Sequence, residues 1–253
     1  ESQEYCPLQV MDIYVPKNAD GTYKTGSFPV VITIHGGSWC RGSKEYYNYM
    51  TDFITDTCNC VHVNMNYRLT TGVPWGNDIT YEDMLDDIQF VIKYLNDHSA
   101  VYHVDTSKIA LMGHSAGGHL ALLYAYKHPT QIDLVISEAG PTQFVDDNNN
   151  ILADDENICA MVGIPYRLDE SYTESEIAML EQASPYHALQ IIQNNADIPC
   201  TMLAYGNLYD EDYNLSGTDG VVPFFQSTVI CDILGINNCT RFEFINIGHT
   251  DFG

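Results

Sequence analysis

Apolar and polar residues recur along this chain with two different periods. "LQVMDIYVP" alternates apolar and polar and predicts a half-exposed strand near the start. "FPVVITIHGG" is a β-branched run that ends in glycines, the pattern of a buried central strand, and "CVHVNMNYRL" predicts the next one. From Tyr81 to Asn96 the period changes: Met84, Leu85, Ile88, Val91, Ile92 and Leu95 recur at spacings of three and four and form one apolar helical face. The acidic pair Glu82 and Asp83 suits the positive end of that helix. "KIALMG" follows as a short strand, then an apolar helix from Gly117 to about His128. "IDLVISEAG" and "IPCTMLAYG" predict two more strands, each closed by glycine. A helix after Pro223 and a last strand in "RFEFINIG" complete the series. Strands alternating with helices predict an α/β fold with a mostly parallel sheet covered on both faces.

A polar, acidic stretch, 144–182, interrupts this alternation before the penultimate strand. It opens with "DDNNNILADDEN" and regains helical potential in "TESEIAMLEQA". It reads as a small cap-like insertion over one end of the sheet, within a single domain spanning 1–253. At 253 residues the chain is long enough to bury a large core.

Charge narrows the choice of partners. Ten Lys and Arg against 34 Asp and Glu leave a net charge of −24, which repels phosphate backbones and anionic membrane surfaces and argues against nucleic-acid binding. Apolar runs such as Val30 to Ile34 fall far short of the roughly 20 residues a membrane helix needs. Eight cysteines include no Cys-x-x-Cys pair, which argues against a zinc ribbon or thioredoxin-like site. Cys231 and Cys239 flank the short segment "DILGINN" and are the expected disulfide, whereas Cys200, inside an apolar run, is expected in the core. The chain opens at Glu1 without methionine, consistent with a mature secreted form or an excised domain.

The chemistry concentrates in "KIALMGHSAGGHLALLYAY". Ser115 sits in a Gly-x-Ser-x-Gly frame between a predicted strand and a predicted helix. Such a turn forces the serine into a strained backbone region, and Gly113 and Gly117 leave room for it. The free N–H of Ala116 at the helix start is placed beside the hydroxyl. The competing reading, a serine that caps a helix, leaves both glycines and the preceding strand unexplained. "HGGSWCRGS" follows the strand "PVVITI" directly and has the His-Gly-Gly form of a loop whose amides face a substrate carbonyl.

Together with "NYRL", "SPY", "DGVVPFFQS" and the late "GH", these motifs resemble, in order, the esterase/lipase superfamily of α/β-hydrolases, close to its hormone-sensitive-lipase-like and carbohydrate-esterase-like groups. Two departures stand out: Ser38 replaces the third glycine of the commonest loop motif, and no helix follows His249. The resemblance implies Ser115 as nucleophile, His249 as base and Asp219, the first residue of "DGVVP", as acid. Asp210 is the alternative acid, nearer the end of its strand. It further implies an oxyanion hole from the amides of Gly37, Ser38 and Ala116, with Gly36 able to replace Ser38. Trp39 is expected to line the substrate pocket, with a core role as the alternative. Arg68 is expected to pair with a carboxylate such as Asp87, and His35 and His114 to be structural.

The expected activity is hydrolysis of short-acyl or aryl carboxylic esters, with no cofactor and no metal. The substrate is a small molecule or a carbohydrate-linked ester, acetyl or feruloyl groups on plant polysaccharide among the options, and the setting is extracellular. Two rivals stay open: an arylformamidase-type amide hydrolase with the same triad, and a non-catalytic binding module on this fold.

Overall fold

A computed structural model of the chain describes residues 9–70, 78–152, 155–169, 171–192, 197–208, 221–223, 225–235 and 238–249. The strands are β1 (Met11–Tyr14), β2 (Phe28–Ile34), β3 (Val61–Met65), β4 (Val104–His114), β5 (Leu134–Glu138), β6 (Cys200–Asn207) and β7 (Cys239–Ile245). They form one seven-stranded sheet in the order β1-β3-β2-β4-β5-β6-β7. β1 pairs antiparallel with β3; every other pairing is parallel. The helices are α1 (Tyr81–Asp97), α2 (Ser99–Tyr102), α3 (Ala116–Lys127), α4 (Glu156–Val162), α5 (Glu174–Ala183), α6 (Pro185–Gln190) and α7 (Phe225–Leu234). A 3-10 segment, Lys44–Met50, and a π-helical turn, Phe53–Thr57, link β2 to β3. The periodicity of the sequence did not predict either one.

The α1 stripe lies where its spacing places it: Met84, Leu85, Ile88, Val91, Ile92 and Leu95 are all buried. Each such side chain is worth about 1.5–3 kcal/mol when fully removed from water. Thr80 and Asp83 close a capping box at the N-terminus of α1, satisfying amides the helix cannot bond internally. Helix α3 is different, because Ala116 to Tyr126 are buried all round. A helix with no polar face has to sit inside the molecule, and α3 packs against β4 and β5 within the main core. The stretch from 144 onward joins the same core through Phe144, Val145, Ile158, Met161, Val162 and Leu180.

Two expected side-chain pairings are present. Arg68 bonds the buried Asp87 through its amide at 2.7 Å and its Nε at 3.0 Å, and reaches Asp83 with a terminal nitrogen at 2.7 Å. Cys231 and Cys239 form a disulfide between the last turn of α7 and the first residue of β7. The expectation for Cys200 is corrected. It is exposed, because it occupies the entry end of β6, outside the apolar part of the run around it.

Register brings the motifs together. Ile34 lies opposite Gly113, and His114 opposite Glu138. The loop after β2, the turn after β4 and the end of β5 therefore emerge side by side at the C-terminal edge of the parallel strands. The segment after β7 ends at the same edge, as parallel pairing of Asn207 with Ile245 requires.

Candidate active site

Ser115 stands between β4 and α3 with φ 52° and ψ −120°. A side chain at such angles costs about 1–3 kcal/mol and persists only where its surroundings enforce it. Here the enforcement is close packing. A Cβ on Gly113 would come within 2.3 Å of the Gly117 carbonyl, and one on Gly117 within 2.1 Å of the Ile34 carbonyl. Any larger residue at either position would push the helix off the strand. The Ser115 N–H is satisfied by the Glu138 carbonyl at 2.7 Å, which ties the turn to the end of β5. Ala116 is the first helical residue, so its amide has no partner within the helix.

The glycine loop runs against this turn. A Cβ on Gly36 would stand 3.2 Å from that of Ser115 and 2.9 Å from the His114 carbonyl, so only glycine lets the loop approach so near. The next residues turn left-handed: Gly37, at φ 117°, does so freely, whereas Ser38 at 51° and Trp39 at 59° are strained. His35 is buried, bonds the Gly36 carbonyl through Nδ1 at 2.8 Å and stacks on Tyr67 at 4.4 Å. Burial, as the main cause, lowers its pKa to about 4, so it is a neutral packing element beneath the loop.

His249 arrives from the segment after β7. Its Nε2 lies 2.8 Å from the Ser115 Oγ across 134 positions of sequence. Its backbone carbonyl lies 2.6 Å from the Nε2 of His114. A carbonyl only accepts, so His114 carries its proton on Nε2 and donates it there. The two rings are 4.9 Å apart. His114 also stacks against Tyr46, at 5.4 Å and 16° between planes. The side chain expected to be merely structural thus holds the backbone of the residue that meets Ser115.

Trp39 requires a correction. It is 4% exposed, its indole N–H donates to His119 Nδ1 at 3.2 Å, and it belongs to the core cluster. Its aromatic surface is committed to packing, and the core alternative holds. His119 passes its own proton from Nε2 to the Ala183 carbonyl at 2.8 Å. Both candidate acids, Asp219 and Asp210, lie outside the described residues.

Sequence reasoning missed Glu138. It ends β5 beside His114 and accepts a 2.8 Å hydrogen bond from the hydroxyl of the buried Tyr47. Burial raises its carboxyl to about 6, with the Tyr47 hydrogen bond pulling the other way. The available signal was a carboxylate closing the mostly apolar parallel strand "LVISE".

Among the described residues no group of three or more His, Cys, Asp or Glu side chains could hold a metal ion. A cavity of about 610 Å³ lined by Tyr14, Lys17, Tyr23, Thr51 and Asp52 includes none of the site residues. What the site does gather is a hydroxyl at a strained turn, an imidazole in hydrogen-bond contact with it, and the first amide of a helix beside it.

Comparison with known proteins places the fold and part of the chain. Residues 11–198 match the family model described as BD-FAE, a stretch that includes the "HGGSW" loop and the Ser115 turn but stops before Asp219 and His249. Arylacetamide deacetylase of Bos taurus is 33% identical over 115 residues, 45% of this chain and 27% of that protein. Probable carboxylesterase 5 of Arabidopsis thaliana is 30% identical over 122 residues, 46% of this chain and 37% of its own length. The matched stretch therefore spans well under half of either relative. Among solved structures, Thermogutta terrifontis esterase 2 phosphonylated by sarin superposes with a TM-score of 0.70 at 20% identity, covering 96% of this chain and 82% of that one. A truncated carbohydrate esterase from gut microbiota gives 0.70 at 18%, covering 95% and 84%. These neighbours share the fold, that of the α/β-hydrolases. With the loop, the turn and the strands that carry them all inside the matched stretch, the chain belongs to the BD-FAE family.

Proposed function

We propose that the protein is a serine carboxylic-ester hydrolase that works through an acyl-enzyme. The observation that carries this reading is the 2.8 Å contact between His249 Nε2 and Ser115 Oγ at a strained strand-to-helix turn. Neutral His249 takes the Ser115 proton as the oxygen attacks the ester carbonyl. The amide of Ala116, with those of Gly37 and Ser38 or Gly36, stabilises the oxyanion of the tetrahedral intermediate. The imidazolium then returns its proton to the departing alcohol. Water repeats the sequence on the acyl-enzyme, giving the carboxylic acid and free serine. Asp219 is the acid that orients His249, with Asp210 as its alternative.

The substrates we favour are short-acyl or aryl esters, including acetyl or feruloyl groups carried on polysaccharide. A relative named as a carboxylesterase and a fold neighbour titled as a carbohydrate esterase support the ester and the carbohydrate setting respectively. An acidic surface suits a protein that works outside the cell on uncharged polymers. Amide hydrolysis by the same machinery is the second reading, favoured by the relative named arylacetamide deacetylase. One panel separates them: p-nitrophenyl acetate, butyrate and octanoate, methyl ferulate, an acetylated xylan, N-formylkynurenine and an arylacetamide. Turnover of the esters alone supports the first reading. Turnover of the amides alone replaces it with the second, and no turnover of any compound sinks both.

A further inference from the structure

Beneath the Ser115–His249 contact lies a cluster of titratable side chains that the hydrolytic steps above do not use. Glu138 is its centre. The backbone carbonyl of Glu138 holds the Ser115 amide, and its carboxylate holds the Tyr47 hydroxyl. The Tyr47 ring meets Tyr46 edge-on at 5.0 Å, Tyr46 stacks on His114, and His114 donates to the His249 carbonyl. One residue thus touches the nucleophile's backbone directly and the base's backbone through three rings.

We propose that Glu138 is a positioning residue for the hydrolysis: its carboxylate, anchored on Tyr47, fixes both the strand end that carries Ser115 and the ring stack through which His114 holds His249. The inference rests on the hydrolytic reading of the site. Its physical basis is the strength of a hydroxyl-to-carboxylate bond at a half-buried site, which exceeds that of a neutral pair. Protonating the carboxyl replaces that bond with a weaker one and frees Tyr47 to rotate. A misplacement of about 1 Å between reacting groups can cost on the order of 100-fold in rate.

The groups facing Glu138 among the described residues are few. Tyr46, Tyr47 and Tyr49 come from the 3-10 segment and His114 from β4, with His249 beyond it; the strand partner on β6 is Ala204. No lysine or arginine appears among these groups. Because burial raises the Glu138 carboxyl to about 6, its charge changes within the working range of a hydrolase. Above that value the anchor is intact and below it the anchor is weakened, so activity is lost on the acid side.

The test is kcat and KM for p-nitrophenyl acetate between pH 4.5 and 8, for wild type, Glu138→Gln, Glu138→Asp, Tyr47→Phe and an inert control, Ser115→Ala. Glu138→Gln is expected to lower kcat by about 10-fold with KM within about twofold, since binding surfaces are untouched. One ionisation should also vanish from the acid limb of its kcat profile. Glu138→Asp should recover part of kcat and restore that ionisation. Tyr47→Phe removes the anchor itself, so its kcat should fall as in Glu138→Gln and the Glu138 ionisation should fade from its acid limb. Inactive wild type would count against the hydrolytic reading itself. Active wild type, with Glu138→Gln and Tyr47→Phe both matching it in kcat and in pH profile, would overturn the role of Glu138 alone. If Glu138→Gln fails to fold by circular dichroism, the Tyr47→Phe profile decides by the same criterion.

Discussion

His249 Nε2 meets Ser115 Oγ at 2.8 Å although the residues are 134 positions apart and enter from different strands. Nothing local enforces that meeting. It follows from parallel register, which brings the ends of β4 and β7 to one edge, and from His114, which grips the His249 backbone. If this contact is the chemical core of the protein, Ser115→Ala should lower turnover by roughly 10⁴-fold or more while leaving the fold unchanged. A fluorophosphonate probe with mass-spectrometric mapping should label Ser115 and no other serine. Retained activity in the alanine variant would end the proposal.

The acid is tested by a pair of variants. Asp219→Asn would offer the wrong partner to the base and cost about 10²- to 10⁴-fold in turnover on a short ester. Asp210→Asn should change it little. The reverse ranking would make Asp210 the orienting group and "DGVVP" a structural segment.

Acyl length is the third expectation. The 144–182 stretch contributes Phe144, Val145, Ile158, Met161, Val162 and Leu180 to the main core, so it offers little separate lid. Activity on p-nitrophenyl esters should fall from acetate or butyrate to octanoate, without a jump when substrate forms droplets. A preference for emulsified long-chain esters would show that the stretch opens and closes over the site.

Stability should decline as the solution is acidified. Burial, the first cause in each case, lowers His35, His62 and His119 to about 4, against an unfolded value of about 6.5. These groups fold neutral, so their contribution is complete above the unfolded value and is lost as pH falls through about 4. Near pH 5 the unfolded chain binds up to three extra protons, a slope of about 4 kcal/mol per pH unit. Glu138 opposes this. Its raised pKa gives stability that is complete below its unfolded value and lost as pH rises through about 6. That term is about 2 kcal/mol, so three histidines outweigh it. Urea midpoints at pH 7, 6, 5 and 4.5, followed by near-ultraviolet circular dichroism, should fall steadily. A flat series would show that these imidazoles are hydrated in the native state.

Much of this architecture was legible in the chain because burial writes a period into it. The α1 stripe, the β2 run and the all-apolar α3 each follow from what a helix or a central strand must hide. The Gly-x-Ser-x-Gly turn was legible for a second reason: close packing leaves no alternative to glycine at Gly113 and Gly117. Relations across the sheet were not. No local pattern tells that Trp39 turns inward to His119, or that the histidine before Ser115 supports the one near the end of the chain. The 3-10 segment that supplies Tyr46 and Tyr47 is too short and too aromatic to show a helical period. Glu138 escaped notice because a single carboxylate at a strand end has no sequence partner to mark it.

The position of β7 bears on how the protein comes into being. Ser115 and its turn belong to the middle of the sheet, while His249 follows a strand that, among the described residues, pairs with β6 alone and is exposed at every position after Cys239. During synthesis, β2, β4 and α3 can settle with the serine already bent into place, yet the His249 imidazole reaches it only once β7 has docked. On the proposed mechanism a chain with β7 undocked, or with that edge strand frayed, should lack hydrolytic activity. The Cys231–Cys239 bridge fastens that strand's first residue to α7, so an oxidising environment would guard the docking of β7 as well as the finished fold.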